Sequence, residues 1–257
     1  MYNGMEIATQ GLLAMMAKQD VIANNLANVG TAGFQKDSLL ITSFDGMLNR
    51  EMGMNEFSQA GFLQAGGNQA AAPRGQLIHR TATHFTQGSV KNTGNPFDLT
   101  IDGDGFFNIQ TRDGVKFTRN GAFNLGKDGF LATKDGNLVL GQRGPIKLAG
   151  KDFAVDETGT VSVDGKPVDR LALTRFVQPQ TLKKTGDSFF VPSETSAPMP
   201  CQARVKQGFL EMSNVNAVKE MVEMMTIMRA YEANQKLIQQ EDQMIAKSVN
   251  ETGKVRG

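Results

Sequence analysis

The sequence predicts an α+β fold in which N- and C-terminal helices pair as a coiled coil around an inserted antiparallel β-rich domain. Three observations carry this. Both ends of the chain show apolar residues spaced alternately by threes and fours. That spacing is the seam of a helix with a partner helix. The middle is cut into short apolar runs by Asp-Gly and Asn-Gly steps, which mark tight turns between antiparallel strands.

The first helix is expected over about 25 residues, with Asn3 and Glu6 resembling a capping box. Ala8, Leu12, Met15, Ile22, Leu26 and Val29 form its seam, with Gln19 in the missing place. Gly30 and Gly33 stop it and form a flexible elbow. The surface around Asn24, Asn25 and Asn28 is small and amide-rich, suited to close packing against identical neighbours.

The last helix is capped by Ser213 or Asn214 and carries the same spacing through Met221, Met225, Met228, Tyr231, Ile238, Ile245 and Val249. Gln235 and Asp242 interrupt it. No glycine or proline falls between Val215 and Thr252, so the helix extends about 50 Å at 1.5 Å per residue. The expected organisation is a discontinuous helical domain, 1–34 and 207–257, a flexible connecting segment, 35–80, and a β-rich outer domain, 81–206. The methionine stripe also admits a second reading, a pliable peptide-binding groove.

Composition excludes several classes. Net charge is +1, from 27 Lys+Arg and 26 Asp+Glu, which lacks the basic stripe of a nucleic-acid surface. No stretch reaches the roughly 20 apolar residues of a membrane span, so membrane insertion is not expected. The N-terminus has no basic n-region, unbroken apolar core or small-residue cleavage site. The protein is therefore expected either to stay in the cytosol or to leave without a cleaved leader. Cys201 is the single cysteine, which rules out an intrachain disulfide and a cysteine metal cluster.

No catalytic, cofactor or metal site is expected. His79 and His84 are the two histidines, too few for a metal site without further placed ligands. The Asp102-Gly-Asp104-Gly run lacks the remaining calcium-loop ligands and reads as turns. Phosphate-binding glycine loops and the nucleophile elbow are missing from the sequence.

Three further segments carry a resemblance. ANNLANVGTAGF near the N-terminus, NPFDLTIDGDGFF at Asn95–Phe107 with FTRNGAFNL at Phe117–Leu125, and Gln207–Lys236 with its SNVN and RAYE motifs occur in order. They resemble the signatures of the bacterial flagellar rod and hook proteins. The resemblance implies a non-enzymatic structural subunit of the flagellar basal-body rod, assembling helically into a tubular drive shaft that transmits torque to the hook. Its terminal helices would pack inside the tube with the β domain outside.

GQRGPIKL, Gly141–Leu148, resembles the proximal rod type, and RAYEANQK with DQMI at Asp242–Ile245 the distal type; the expectation leans proximal. The implied partners are further copies in a helical homo-oligomer, other rod proteins, the hook protein or surrounding rings, and the flagellar type III export apparatus. The implied location is the periplasmic rod. Asn24, Asn25, Asn28, Asn214 and Asn216 are candidates to fix register between subunits, Asn214 equally an N-cap. Two readings from other classes stay open: a periplasmic enzyme acting on peptidoglycan, and an exported adhesive β domain on helical stalks.

Phe44 and Leu48 fit the Phe-x-x-x-apolar pattern that export gates of this group read; they equally suit two anchors of one packed turn. Replacing Phe44 by Ala is expected to lower the amount of protein exported while leaving its synthesis intact. Unchanged periplasmic amounts would remove the export reading.

Overall fold

The computed structural model describes residues 2–43, 77–150, 152–186, 188–193, 196–201 and 203–254. Phe44, Leu48 and most of the connecting segment lie outside them. Two compact units are present: the described parts of Met1–Asn24, Asp37–Ala82 and Val218–Gly257, and those of Asn25–Lys36 and Thr83–Ala217.

The helical unit is built on α1, Tyr2–Ala27, and α2, Ala217–Lys254. Helix α1 begins ahead of Asn3, so Asn3 lies within its first turn and does not precede it. At 38 residues, α2 is about 57 Å long. The two helices pack together as an antiparallel pair: Lys18 Nζ meets Glu223 Oε1 at 2.8 Å, and Asn234 Nδ2 lies 3.5 Å from Met15 Sδ. Gly11 faces Asn234 as well, since a Cβ there would sit 3.9 Å from its amide nitrogen.

On α2 a covered stripe, flanked by the half-buried Glu223 and Ala230, runs through Glu220, Met224, Ile227, Tyr231, Asn234 and Ile238. They keep the three-four alternation but stand one residue away from Met221, Met225 and Met228 over its first turns. One residue is about 100° of rotation, so those methionines face elsewhere. They are 49%, 51% and 47% exposed. Two stripes with the same spacing share the helix; the more apolar one drew the sequence reading, and the one holding Glu220 and Asn234 takes the intrachain contact.

The ends of the connecting segment, Asp37–Ser43 and Leu77–Thr83, are strands paired with each other.

The β unit carries a ten-stranded sheet among the described residues. Its central strand, Phe106–Thr111, pairs antiparallel with Gly114–Thr118, Leu138–Gly141 and Leu173–Phe176. A three-stranded meander, Phe153–Val155, Thr160–Val163 and Lys166–Arg170, packs on the same core. Short pairs tie Leu99–Asp102 to Arg204–Gln207 and Val90–Asn92 to Phe209–Glu211. The turn chemistry read from the sequence holds at Asp164-Gly165. There Val163 opposes Lys166 and both turn residues have positive φ, 50° and 72°. That is the two-residue hairpin geometry an Asp-Gly step favours.

The main core centres on Leu99, Ile101, Phe107, Ile109, Leu131 and Val139, each at most 1% exposed. A second cluster is aromatic: Phe106, Phe117, Phe176 and Phe190 with Phe85 packed against them. Their rings meet edge to face, as in Phe117–Phe176 at 4.9 Å, the arrangement favoured by the ring quadrupole. Gly121 lets two chain segments touch, because any Cβ there would collide with the Leu99 carbonyl oxygen.

Phe107 is fully buried and meets Phe123 edge-on at 5.1 Å. Phe107→Ala should destabilise the β unit by about 3–5 kcal/mol, read from denaturant unfolding followed by a β-sheet signal. A loss under about 1 kcal/mol would mean that this core is not packed as described.

Candidate functional site: a buried lock joining three segments

Beyond Ala27 the chain continues in tight turns, with Asn28 N donating to Asn25 O and Thr31 N to Asn28 O. Asparagine suits such turns because its short amide bonds to nearby backbone; Thr31 Oγ1 donates to Asn28 Oδ1 at 3.2 Å. The run ends at Gly33, whose φ is +67°. A Cβ at Gly33 would collide with the backbone of Arg119 and Asn120. Only glycine meets both demands. Its N–H donates to the Glu211 carbonyl at 2.8 Å, joining the N-terminal segment to the C-terminal one through backbone alone.

The Glu211 side chain turns inward and is 1% exposed. Its Oε1 accepts from Gln35 Nε2 at 3.1 Å and from the Gly88 amide at 3.3 Å. Its Oε2 accepts from Arg119 Nη1 at 3.1 Å, and Arg119 is only 5% exposed. Arg119 also stands 5.4 Å over the Phe106 ring, which couples the ion pair to the aromatic cluster. A carboxylate this deeply buried is tolerable only with such partners.

Asn214 continues the lock. Its Oδ1 accepts from the Lys36 amide at 2.7 Å. Its Nδ2 lies within 3.1 Å of Gln35 Oε1, His84 O, Thr86 O and Thr86 Oγ1. The side chain therefore bridges three stretches of chain, and α2 begins at Ala217, beyond it. Ser213 Oγ accepts from Val215 N at 3.3 Å, so neither expected cap sits at the helix start. On the other side of the elbow, Lys184 donates to Gln35 O at 3.0 Å and sits 3.7 Å over the Phe34 ring.

The remaining predicted residues separate. Ile22 is buried, and Leu12, Met15, Leu26, Val29, Tyr231 and Ile238 are half-buried. Asn25 is fully buried and Asn28 half-buried, while Asn24, Gly30 and Asn216 are exposed. Glu211, Arg119, Gln35 and Lys184 were absent from the sequence reading. The available signal was a charged or amide residue inside each apolar motif: GFQK, FTRNG and FLEMSN.

The carboxylates held below their ordinary range are exposed, Asp102 at a strand end and Asp113 and Asp156 between strands. Hydrogen bonding and charge from Lys206 and Lys116 lower Asp102 and Asp113 respectively, and the Thr158 hydroxyl and Thr160 amide lower Asp156. Among the described residues no group of three or more His, Cys, Asp or Glu is placed to hold a metal ion.

The described residues thus form a helical pair from the two chain ends and a β unit whose segments are joined by a polar lock. Three family models match: "Flagella basal body rod protein" over 5–35, "Flagellar hook protein FlgE/F/G D1 domain" over 100–163, and "Flagellar basal body rod FlgEFG protein C-terminal" over 206–251. A flagellar basal-body rod protein FlgG of Agrobacterium fabrum is 34% identical over 94% of this chain and 96% of its own length. The FlgG of Bacillus subtilis is 32% identical over 97% of each. The FlgF rod protein of Caulobacter vibrioides is 30% identical over 99% of this chain and 100% of its own. The chain belongs to the bacterial flagellar basal-body rod and hook protein family, and is a structural protein rather than an enzyme. Each of the three matched segments contributes to the lock: Gln35 from the first, Arg119 from the second, Glu211 and Asn214 from the third.

The two glycines of the elbow should behave differently. Gly33→Ala is expected to destabilise by more than about 2 kcal/mol, from the left-handed backbone and the collision together. Gly30 is exposed, with nothing within 4 Å of a Cβ, and Gly30→Ala should stay within about 0.5 kcal/mol of the parent. Equal effects in thermal unfolding would contradict the geometry.

Proposed function

We propose that the chain is a self-assembling subunit of the flagellar rod, in its proximal segment, packing with further copies and with other rod proteins into a helical tube in the periplasm. It would reach that place through the flagellar type III export apparatus, without a cleaved leader. The hook protein and the rings around the rod are the other partners this reading implies.

The observation that carries it is the second apolar stripe of α2. Val218, Met221, Val222, Met225 and Met228 are 72%, 49%, 53%, 51% and 47% exposed, with helical spacing. On α1, Leu13 and Met16 are likewise 56% and 49% exposed. Burying such a side chain from full exposure contributes about 1.5–3 kcal/mol, so covering the exposed half adds about 1 kcal/mol for each when another molecule arrives. Head-to-tail contacts that do not close into a ring build a helix from one kind of subunit. The exposed amides Asn24 and Asn216 are placed to fix the register of such contacts. No helix among the described residues is long and apolar enough to cross a membrane.

The proximal placement rests on GQRGPIKL at Gly141–Leu148, which contains the Gln142–Arg143 turn between Leu138–Gly141 and Gly144–Pro145. The RAYEANQK motif on α2 favours the distal segment as the second reading.

Met225→Glu places a charge in the centre of the open stripe without touching the intrachain face. It should raise the concentration needed for self-association at least tenfold, about 1.4 kcal/mol per contact, with the monomer's unfolding midpoint unchanged. Sedimentation velocity across a concentration series reads this directly. Association equal to the parent's would exclude the stripe as the assembly seam.

A further inference from the structure

We infer that the elbow Gly33–Lys36 is not a hinge but a preformed strap, locked into the β unit of the free subunit by Glu211 and Asn214 before any assembly takes place.

The elbow is fastened along its whole length. Gly33 is held by the Glu211 carbonyl, Gln35 by the Glu211 carboxylate and the Asn214 amide, and Lys36 by the Asn214 side-chain oxygen. The Lys36 carbonyl in turn accepts from the His84 amide at 2.8 Å. Phe34 and Gln35 are 3% and 1% exposed, and Lys184 closes over both through the Phe34 ring and the Gln35 carbonyl. Two further close approaches leave no play around the socket. Gly33 abuts the Arg119–Asn120 backbone, and a Cβ on Gly88 would collide with the Met212 carbonyl oxygen.

Releasing the elbow would strip three contacts at once, from the fully buried Glu211 and the half-buried Asn214. Glu211 would lose Gln35, and Asn214 would lose both Gln35 and the Lys36 amide. Buried polar groups left without partners carry a large penalty, so the strap and socket separate only when this part of the β unit opens. The fastening starts at Gly33; upstream, Gly30 is exposed and a Cβ has open space around it. The glycine pair thus divides its work: Gly33 permits a tight lock and Gly30 lies outside it. This inference does not rest on the rod reading, because it concerns the monomer.

Amide hydrogen exchange on the monomeric full chain, kept dilute or carrying Met225→Glu, tests it. The Gly33, Lys36 and His84 amides should exchange within tenfold of the sheet amides Leu99 and Leu131, and at least a hundredfold more slowly than the amide of Gly30. Asn214→Ala should accelerate Lys36 exchange at least tenfold while leaving Leu131 unchanged, which separates the lock from global unfolding. Elbow amides exchanging at the rate of Gly30 in the parent chain, or Lys36 protection indifferent to Asn214→Ala, would overturn the inference.

Discussion

The structure depends on keeping one buried carboxylate compensated. Glu211 sits at 1% exposure, where an isolated charge would be prohibitive. Every segment that supplies a partner is thereby fixed in place. Arg119 brings the central sheet, Gly88 the strand approach before Val90, and Gln35 the elbow beyond α1. A buried pair of this kind is weak evidence for net stability, since an apolar replacement of the same shape often does as well. Its value lies in specificity: this arrangement of the three segments gives both Glu211 oxygens partners, Gln35 and the Gly88 amide on one and Arg119 on the other.

This explains how a discontinuous protein holds together across long separations in sequence. Elbow and C-terminal segment are 176 residues apart at the Gln35–Glu211 contact. Hydrophobic burial within the sheet does not select that pairing, because apolar surfaces are non-directional. The lock selects it. The helices have the opposite character. Each leaves apolar side chains uncovered in the single chain, and an amphipathic helix without its full complement of neighbours is marginal in water. A subunit with a well-packed β unit and apolar side chains exposed on its helices fits a family of rod and hook proteins.

Much of this was legible in the sequence. The three-four spacing located both helices, and the Asp-Gly steps located the hairpins at Asp113, Asp128, Asp135 and Asp164, because both signals are local and depend on backbone geometry. The steps at Asp102 and Asp104 instead join Leu99–Asp102 to Phe106–Thr111, two strands that pair elsewhere. Which stripe of α2 faces α1 was not legible. Two stripes one residue apart carry similar spacing, and the choice between them is made by contacts such as Lys18–Glu223 and Asn234–Met15. Asn214 read as a cap for the same reason: a short amide just before a helix is the usual N-cap, and nothing local reveals that Lys36 and Gln35 will arrive to use it. Glu211 was overlooked because a glutamate among apolar residues of a short strand reads as its solvent face. The clue was collective, one polar residue in each of three motifs that the chain brings to a single point.

The most direct measurement is a double-mutant cycle on the ion pair, using Arg119→Met, Glu211→Gln and the double variant in equilibrium unfolding. Each single change is expected to cost about 3–5 kcal/mol, since it leaves a buried partner uncompensated. The double variant should be more stable than the sum of those losses predicts, with a coupling of at least about 1 kcal/mol. Additive losses would mean that Arg119 and Glu211 do not depend on each other, and the account of the lock would fail.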